Sequence, residues 1–391
     1  MAYFAGENQT AMKNYNRFFL IPTILVGISC STGNFAPEII NPAPDVQFTK
    51  QSVAKMFSDI PLDVEQLEEV YNAVSQSCGS GYDEEYTLTN LMYAPGAGVG
   101  QTKAPQLGGT PLRDIITSYL MDRYGTKAGG GDVEKYLNAL GDSDFQIYWP
   151  NSDEWDGRTF PIVTFDPGLG AESNYGYEIS YTPSGVKVVD SVFVDEKTAM
   201  KRPVWVINSN VDRNYKPMQY LLREAGPAAT RASSQKQLVI KDFTMLRNYD
   251  SWFGGASEFV IKAGFLSNRS VSYTQAELMD YYPEMTDMML SIKRKDLGRT
   301  LPMDALLVSG LDDNMENMVF MITEDDGGPR TSWKCAATVK IKSKSYGIDI
   351  ELPYNENDDI VWRGNLAMSF FDGSRPVQGR FSDVKITFAL E

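Results

Sequence analysis

From Phe160 to Leu390 the chain repeats one pattern, a short run of alternating apolar and polar residues stopped by glycine, proline or asparagine. The clearest runs are FPIVTFDPG at 160–168, GVKVVDSVFV at 185–194 and RPVWVIN at 202–208, then QLVIKDFTM at 237–245 and SEFVIKAGF at 257–265. MVFMIT at 318–323, ATVKIK at 337–342, GIDIEL at 347–352 and DVKITFAL at 383–390 continue the series. A period of two turns one face of each strand toward a core and the other toward water. Turn signals at intervals of about 8–12 residues specify antiparallel sandwiches instead of a parallel sheet with crossover helices. One segment breaks the series: SYTQAELMDYYPEMTDMMLSIKRKDLGR, from about 272 to 300, predicts an irregular or helical insertion.

Upstream the period changes. Asp63 can cap a helix in which Val64, Leu67, Val70, Tyr71 and Val74 share a face. Thr110 and Pro111 open another, with Leu112, Ile115, Ile116 and Tyr119 on one side, and a shorter helix runs from Asp132 to Leu140 and stops at Gly141. With 391 residues the chain exceeds one typical domain, which holds about 100–200 residues. The expected fold class is α+β, mainly β: a helical domain at 51–145, a β domain at 146–250 and a β-sandwich at 251–391, the strands making one or two antiparallel sandwiches.

Residues 12–30 read MKNYNRFFLIPTILVGISC. Lys13 and Arg17 precede an apolar stretch from Phe18 to Ile28, then small Ser29 and Cys30, the order of a signal peptide. The stretch is about half the roughly 20 residues a spanning helix needs, and Pro22 interrupts it, which disfavours a permanent transmembrane anchor. GISC at 27–30 resembles the bacterial lipobox, although Gly27 stands where that motif usually has leucine. The resemblance implies a signal peptide at 1–29 with Met12 as the true start, lipidation of Cys30, a tether at 30–50 and attachment to a membrane through the lipid. The other reading is a buried apolar strand with an incidental cysteine. Cys78 and Cys335 are either a disulfide pair of an oxidising compartment or two unpaired thiols.

The chain contains no histidine. That excludes Ser-His-Asp and Cys-His nucleophile activation and removes the commonest zinc ligand. Catalysis would run on carboxylates, lysine, tyrosine or a hard metal. A net charge of -15 without a basic stripe excludes nucleic acid as partner and favours divalent cations. PGAGVGQTK at 95–103 lacks the Gly-Lys-Ser/Thr spacing of a phosphate loop, and NSDEWDG at 151–157 places Val163 where a calcium loop needs glutamate.

MVFMITEDDGGPR ends an apolar strand in Glu324, Asp325 and Asp326, and PYNENDDIVWRG places Glu356, Asp358 and Asp359 before another. Over 258–391 this resembles the C2 domains, sandwiches whose acidic end loops hold Ca²⁺. The resemblance implies that these six acids are metal ligands, since Ca²⁺ takes about six to eight oxygens. Against it, acidic turns in an acidic protein are ordinarily solvated. A broader resemblance rests on YWPNSDEWDGRTFPIVTFDPG, VDEKTAMKRPVWVINSN, WFGGASEFVIK, EDDGG and NDDIVWRG. It is to secreted lipoproteins of Bacteroidetes-type bacteria, whose members carry no assigned activity. It implies an exported outer-membrane lipoprotein, on the periplasmic or surface face, and no catalytic residues. Trp155, Trp252 and Trp362 fall near predicted loops, where aromatic faces either stack on sugars or pack in the core. Two functions follow: a non-catalytic, lipid-anchored envelope protein that binds a glycan or an envelope protein and is stabilised by Ca²⁺, or a carboxylate-dependent, glycosidase-like hydrolase with two acids about 5–10 Å apart.

Overall fold

The computed structural model describes residues 46–93, 109–124, 131–210, 216–218, 236–269, 276–371 and 375–391. Cys30, the leader and the glycine-rich loop at 95–103 lie outside the described residues. The chain is mainly β with few helices, an α+β fold.

Five helices precede or flank the first strands: α1 (Lys50–Asp59), α2 (Val64–Gly79), α3 (Leu88–Met92), α4 (Pro111–Tyr124) and α5 (Gly131–Gly141). Their starts follow capping chemistry. Asp63 accepts from Glu65 N while its own N–H donates to Gln66, a capping box for α2, and Thr49 and Ser52 form the same device for α1. The apolar faces cover a six-stranded sheet ordered β1-β2-β6-β3-β4-β5. Its strands are β1 (Glu85–Thr87), β2 (Phe145–Tyr148), β3 (Ile162–Phe165), β4 (Ser173–Tyr181), β5 (Lys187–Asp195) and β6 (Val204–Ser209). All pairings are antiparallel except β3 with β6. Phe57, Leu67, Val70, Leu112 and Ile116 from the helices share one buried cluster with Ile147, Trp149, Val163, Trp205 and Ile207 from the strands. The expected boundary at 145 therefore runs through a common core: an amphipathic helix must bury its stripe on something, and here it is this sheet.

The remaining strands build a sandwich. One sheet is ordered β10-β7-β16-β15, from β7 (Lys236–Met245), β10 (Leu301–Leu311), β15 (Val377–Phe381) and β16 (Val384–Leu390). The other is ordered β13-β12-β11-β8-β9, with β14 also on β11. It comprises β8 (Ser257–Asn268), β9 (Tyr281–Ile292), β11 (Met315–Glu324), β12 (Arg330–Ile341), β13 (Lys344–Asn355) and β14 (Asp359–Ala367). Phe243, Phe259, Ile261, Phe320, Phe381 and Phe388 form the centre of their shared core. The β12–β13 hairpin folds over the back of β8. A Cβ on Gly264 would stand 2.8 Å from Ile350, so only glycine admits that approach.

The expected irregular or helical insertion at 272–300 is corrected by β9, which pairs with β8 over its whole length, from Tyr281 opposite Asn268 to Ile292 opposite Ser257. β9 closes the path at its edge, the kind of strand in which a proline such as Pro283 is tolerated.

Candidate cation site

The segment between β7 and β8 joins the sandwich to the first sheet. Trp252 and Phe253, with ring centroids 3.9 Å apart, sit in a cluster with Tyr148, Ile162, Val194, Ala199, Val204 and Val206. Asn208 Nδ2 donates to the carbonyls of Phe253 at 3.0 Å and Gly254 at 2.8 Å, and Ala256 N donates to Asp83 Oδ2 at 2.9 Å. Gly255 has φ of +114°, and a Cβ there would lie 2.4 Å from Asp83 Oδ2. Arg294 Nη1 donates to the Asp250 carbonyl at 2.7 Å and its Nε to Glu196 at 3.0 Å. These bonds hold the backbone of Asp250 in place.

Asp250 then meets two acids of the sandwich. Glu258 stands near the start of β8 and Glu324 at the end of β11, where Glu324 is registered opposite Phe259. One carboxylate oxygen from each of Asp250, Glu258 and Glu324 lies within 4.8 Å of the others. Glu324 is fully buried, and neither of its oxygens has a hydrogen-bond donor; Asp250 Oδ2 is likewise buried and without one. Glu258 accepts from Ser291 Oγ at 3.4 Å, and its carbonyl accepts from Asp325 N at 2.9 Å. Burial, reinforced by Asp250, drives the Glu324 carboxyl far above the usual carboxylate range, and burial also raises Asp250. Three ionised carboxylates cannot share so small a buried volume unaided. Either a proton bridges Asp250 and Glu324, acceptor facing acceptor, or a cation takes the oxygens. The oxygens without a donor suit either solution, and an all-oxygen donor set is of the kind that takes Ca²⁺ or Mg²⁺.

Of the six acids read as ligands from sequence, Glu324 alone belongs to this set. Asp325 and Asp358 are buried in the neighbouring turns. Asp325 Oδ1 accepts from Gly327 N at 3.0 Å and Asn355 Nδ2 at 2.8 Å, and Asp358 Oδ2 accepts from Asn355 N at 2.8 Å. The two acidic turns thus meet through Asn355. Asp326, Glu356 and Asp359 are exposed. Among the described residues, Asp250, Glu258 and Glu324 are the one group of three such donors brought together. Asp250 and Glu258 carry no local signal: each is a single acid beside apolar residues, and only strand register makes them neighbours of Glu324.

The three tryptophans do not converge. Trp252 is buried and donates from Nε1 to the Glu172 carbonyl at 3.0 Å. Half-buried Trp155 packs on Tyr71 and Trp149, and half-buried Trp362 packs on Phe320 and Phe381. Cys78 and Cys335 are both free thiols. No protein-family model matches the chain, and no curated protein or solved structure matches it either.

Proposed function

We propose that the chain is a non-catalytic, lipid-anchored envelope protein whose sandwich holds a hard divalent cation between Asp250, Glu258 and Glu324. The observation that carries this reading is the fully buried Glu324 carboxylate, whose two oxygens lack a donor and one of which lies within 4.8 Å of a carboxylate oxygen of both Asp250 and Glu258. Ca²⁺ is favoured over Mg²⁺, because it tolerates irregular carboxylate geometry, whereas Mg²⁺ demands a near-ideal octahedron and retains its waters. The anchoring half of the reading rests on residues 12–30, and the partner it implies is a glycan or another envelope protein. The hydrolase alternative has less support: a glycosidic acid must touch its substrate, and Glu324 is sealed from solvent.

A thermal melt in EDTA, then in millimolar Ca²⁺ or Mg²⁺, tests the cation. Binding to the native state alone adds about 2.7 kcal/mol at a hundredfold excess over Kd. We expect a Ca²⁺-dependent rise in Tm that is lost in Glu324→Gln and Asp250→Asn. An unchanged Tm across all conditions overturns the site. For the anchor, Cys30→Ala should release the protein from membranes, and an exported wild type that is already soluble would overturn it.

A further inference from the structure

We propose that Cys78 and Lys293 form a reversible sulfur–nitrogen cross-link when the protein meets a peroxide. Cys78 lies on the last turn of α2, and Lys293 follows β9, 215 residues later. Lys293 Nζ lies 3.0 Å from Cys78 Sγ and 3.4 Å from Glu84 Oε1, so an amine, a thiol and a proton acceptor stand together. A cavity of about 100 Å³ lined by Glu84, Lys293, Tyr148, Asn151 and Trp252 opens on the amine and the carboxylate, while Cys78 stands behind them, outside its lining. Cys78 itself is half-buried.

The chemistry balances with peroxide as the oxidant. The sulfur attacks one peroxide oxygen, the O–O bond breaks, and the products are a sulfenic acid and water. The sulfur has then lost two electrons to the peroxide. The Lys293 amine attacks this sulfur, its N–H proton passes to Glu84, and hydroxide leaves the sulfur and takes that proton as a second water. One S–N bond replaces an S–H and an N–H bond. The lysine must be neutral at the second step. Burial lowers its pKa, but Glu84 and the Cys78 sulfur outweigh burial and hold the ammonium above its usual range. The ammonium therefore gives one proton to solvent before the amine attacks, so the second step quickens as pH rises. Burial raises the Cys78 thiol, with Lys293 opposing, so the first step needs sustained exposure to oxidant.

The full chain is treated with hydrogen peroxide and followed by intact mass and non-reducing peptide mapping. The cross-link lowers the mass by about 2 Da and joins the Cys78 and Lys293 peptides, and a thiol reductant reverses both. Cys78→Ser and Lys293→Arg should abolish the joined peptide, Lys293→Arg while keeping the charge opposite Glu84. Cys335→Ser should retain it. Gain of about 16 or 32 Da at Cys78 with no joined peptide means oxidation without capture and overturns the proposal. A Cys78 that stays reduced while Cys335 oxidises overturns it too.

Discussion

Lys187 reaches from β5 to the carbonyl of Ile60, the residue that ends α1. Burial pulls its pKa from 10.5 down to about 8, with Asp59 opposing and Lys55 adding to the fall. The unfolded chain binds more protons than the native one between those values, so stability rises with pH across that window, and the cost of the buried charge is fully present below about pH 8. Comparing denaturation midpoints of wild type and Lys187→Met from pH 7 to 10.5, we expect wild type to gain relative to the variant on the alkaline side. The expected gain is about 1 kcal/mol, reduced from the full shift because the group is only half-buried. Residues of this kind were partly legible in sequence. Asp63 announced its cap because capping is local, and Glu324 announced itself as an acid ending an apolar strand. Asp250 and Glu258 did not, because their meaning depends on partners from other parts of the chain.

At the scale of elements, α1 shows what tertiary context adds. KQSVAKMF sits next to a stretch that reads as tether, yet its Phe57 is fully buried with its ring 6.1 Å from Trp205. Phe57→Ala should cost about 3–5 kcal/mol, read from the urea midpoint at constant m-value. The β7–β8 segment is equally constrained: Gly255→Ala forces a side chain into a left-handed backbone against Asp83 and should cost about 1–3 kcal/mol. The longest misread element is β9, whose alternation is blurred by Pro283 and by acids on its outer edge. A helical reading of DYYPEMTDMM was available until pairing with β8 selected the strand. The strands most plainly seen, such as β6 and β11, are those with both faces buried, where apolar runs leave little choice.

Across the whole molecule, strand content and the sandwich were readable because they depend on periodicity alone. The partition was not. Helices and strands each looked complete by themselves, and nothing local shows that α1–α5 and β1–β6 share one core or that β7 belongs with the sandwich. The seam between these two bodies is fastened by KRK at 293–295. Lys293 meets Glu84 at 3.4 Å, Arg294 meets Glu196 at 3.0 Å and Lys295 meets Asp153 at 3.2 Å. The apolar fastener beside them is Trp252 with Phe253. Removing it should uncouple the bodies: calorimetry is expected to give one transition for wild type and two for Trp252→Ala, and a single shifted transition would show that the ion pairs suffice. The order of the four-stranded sheet has a further consequence for synthesis. β16 lies between β7 and β15, with Val384 paired to Met245. Met245 must therefore wait for Val384 to emerge from the ribosome, on the order of ten seconds at about 5–20 residues per second. Through that interval the edge of β7 that β16 will cover presents unpaired backbone N–H and C=O groups, a template for pairing with the wrong strand at residues 236–245.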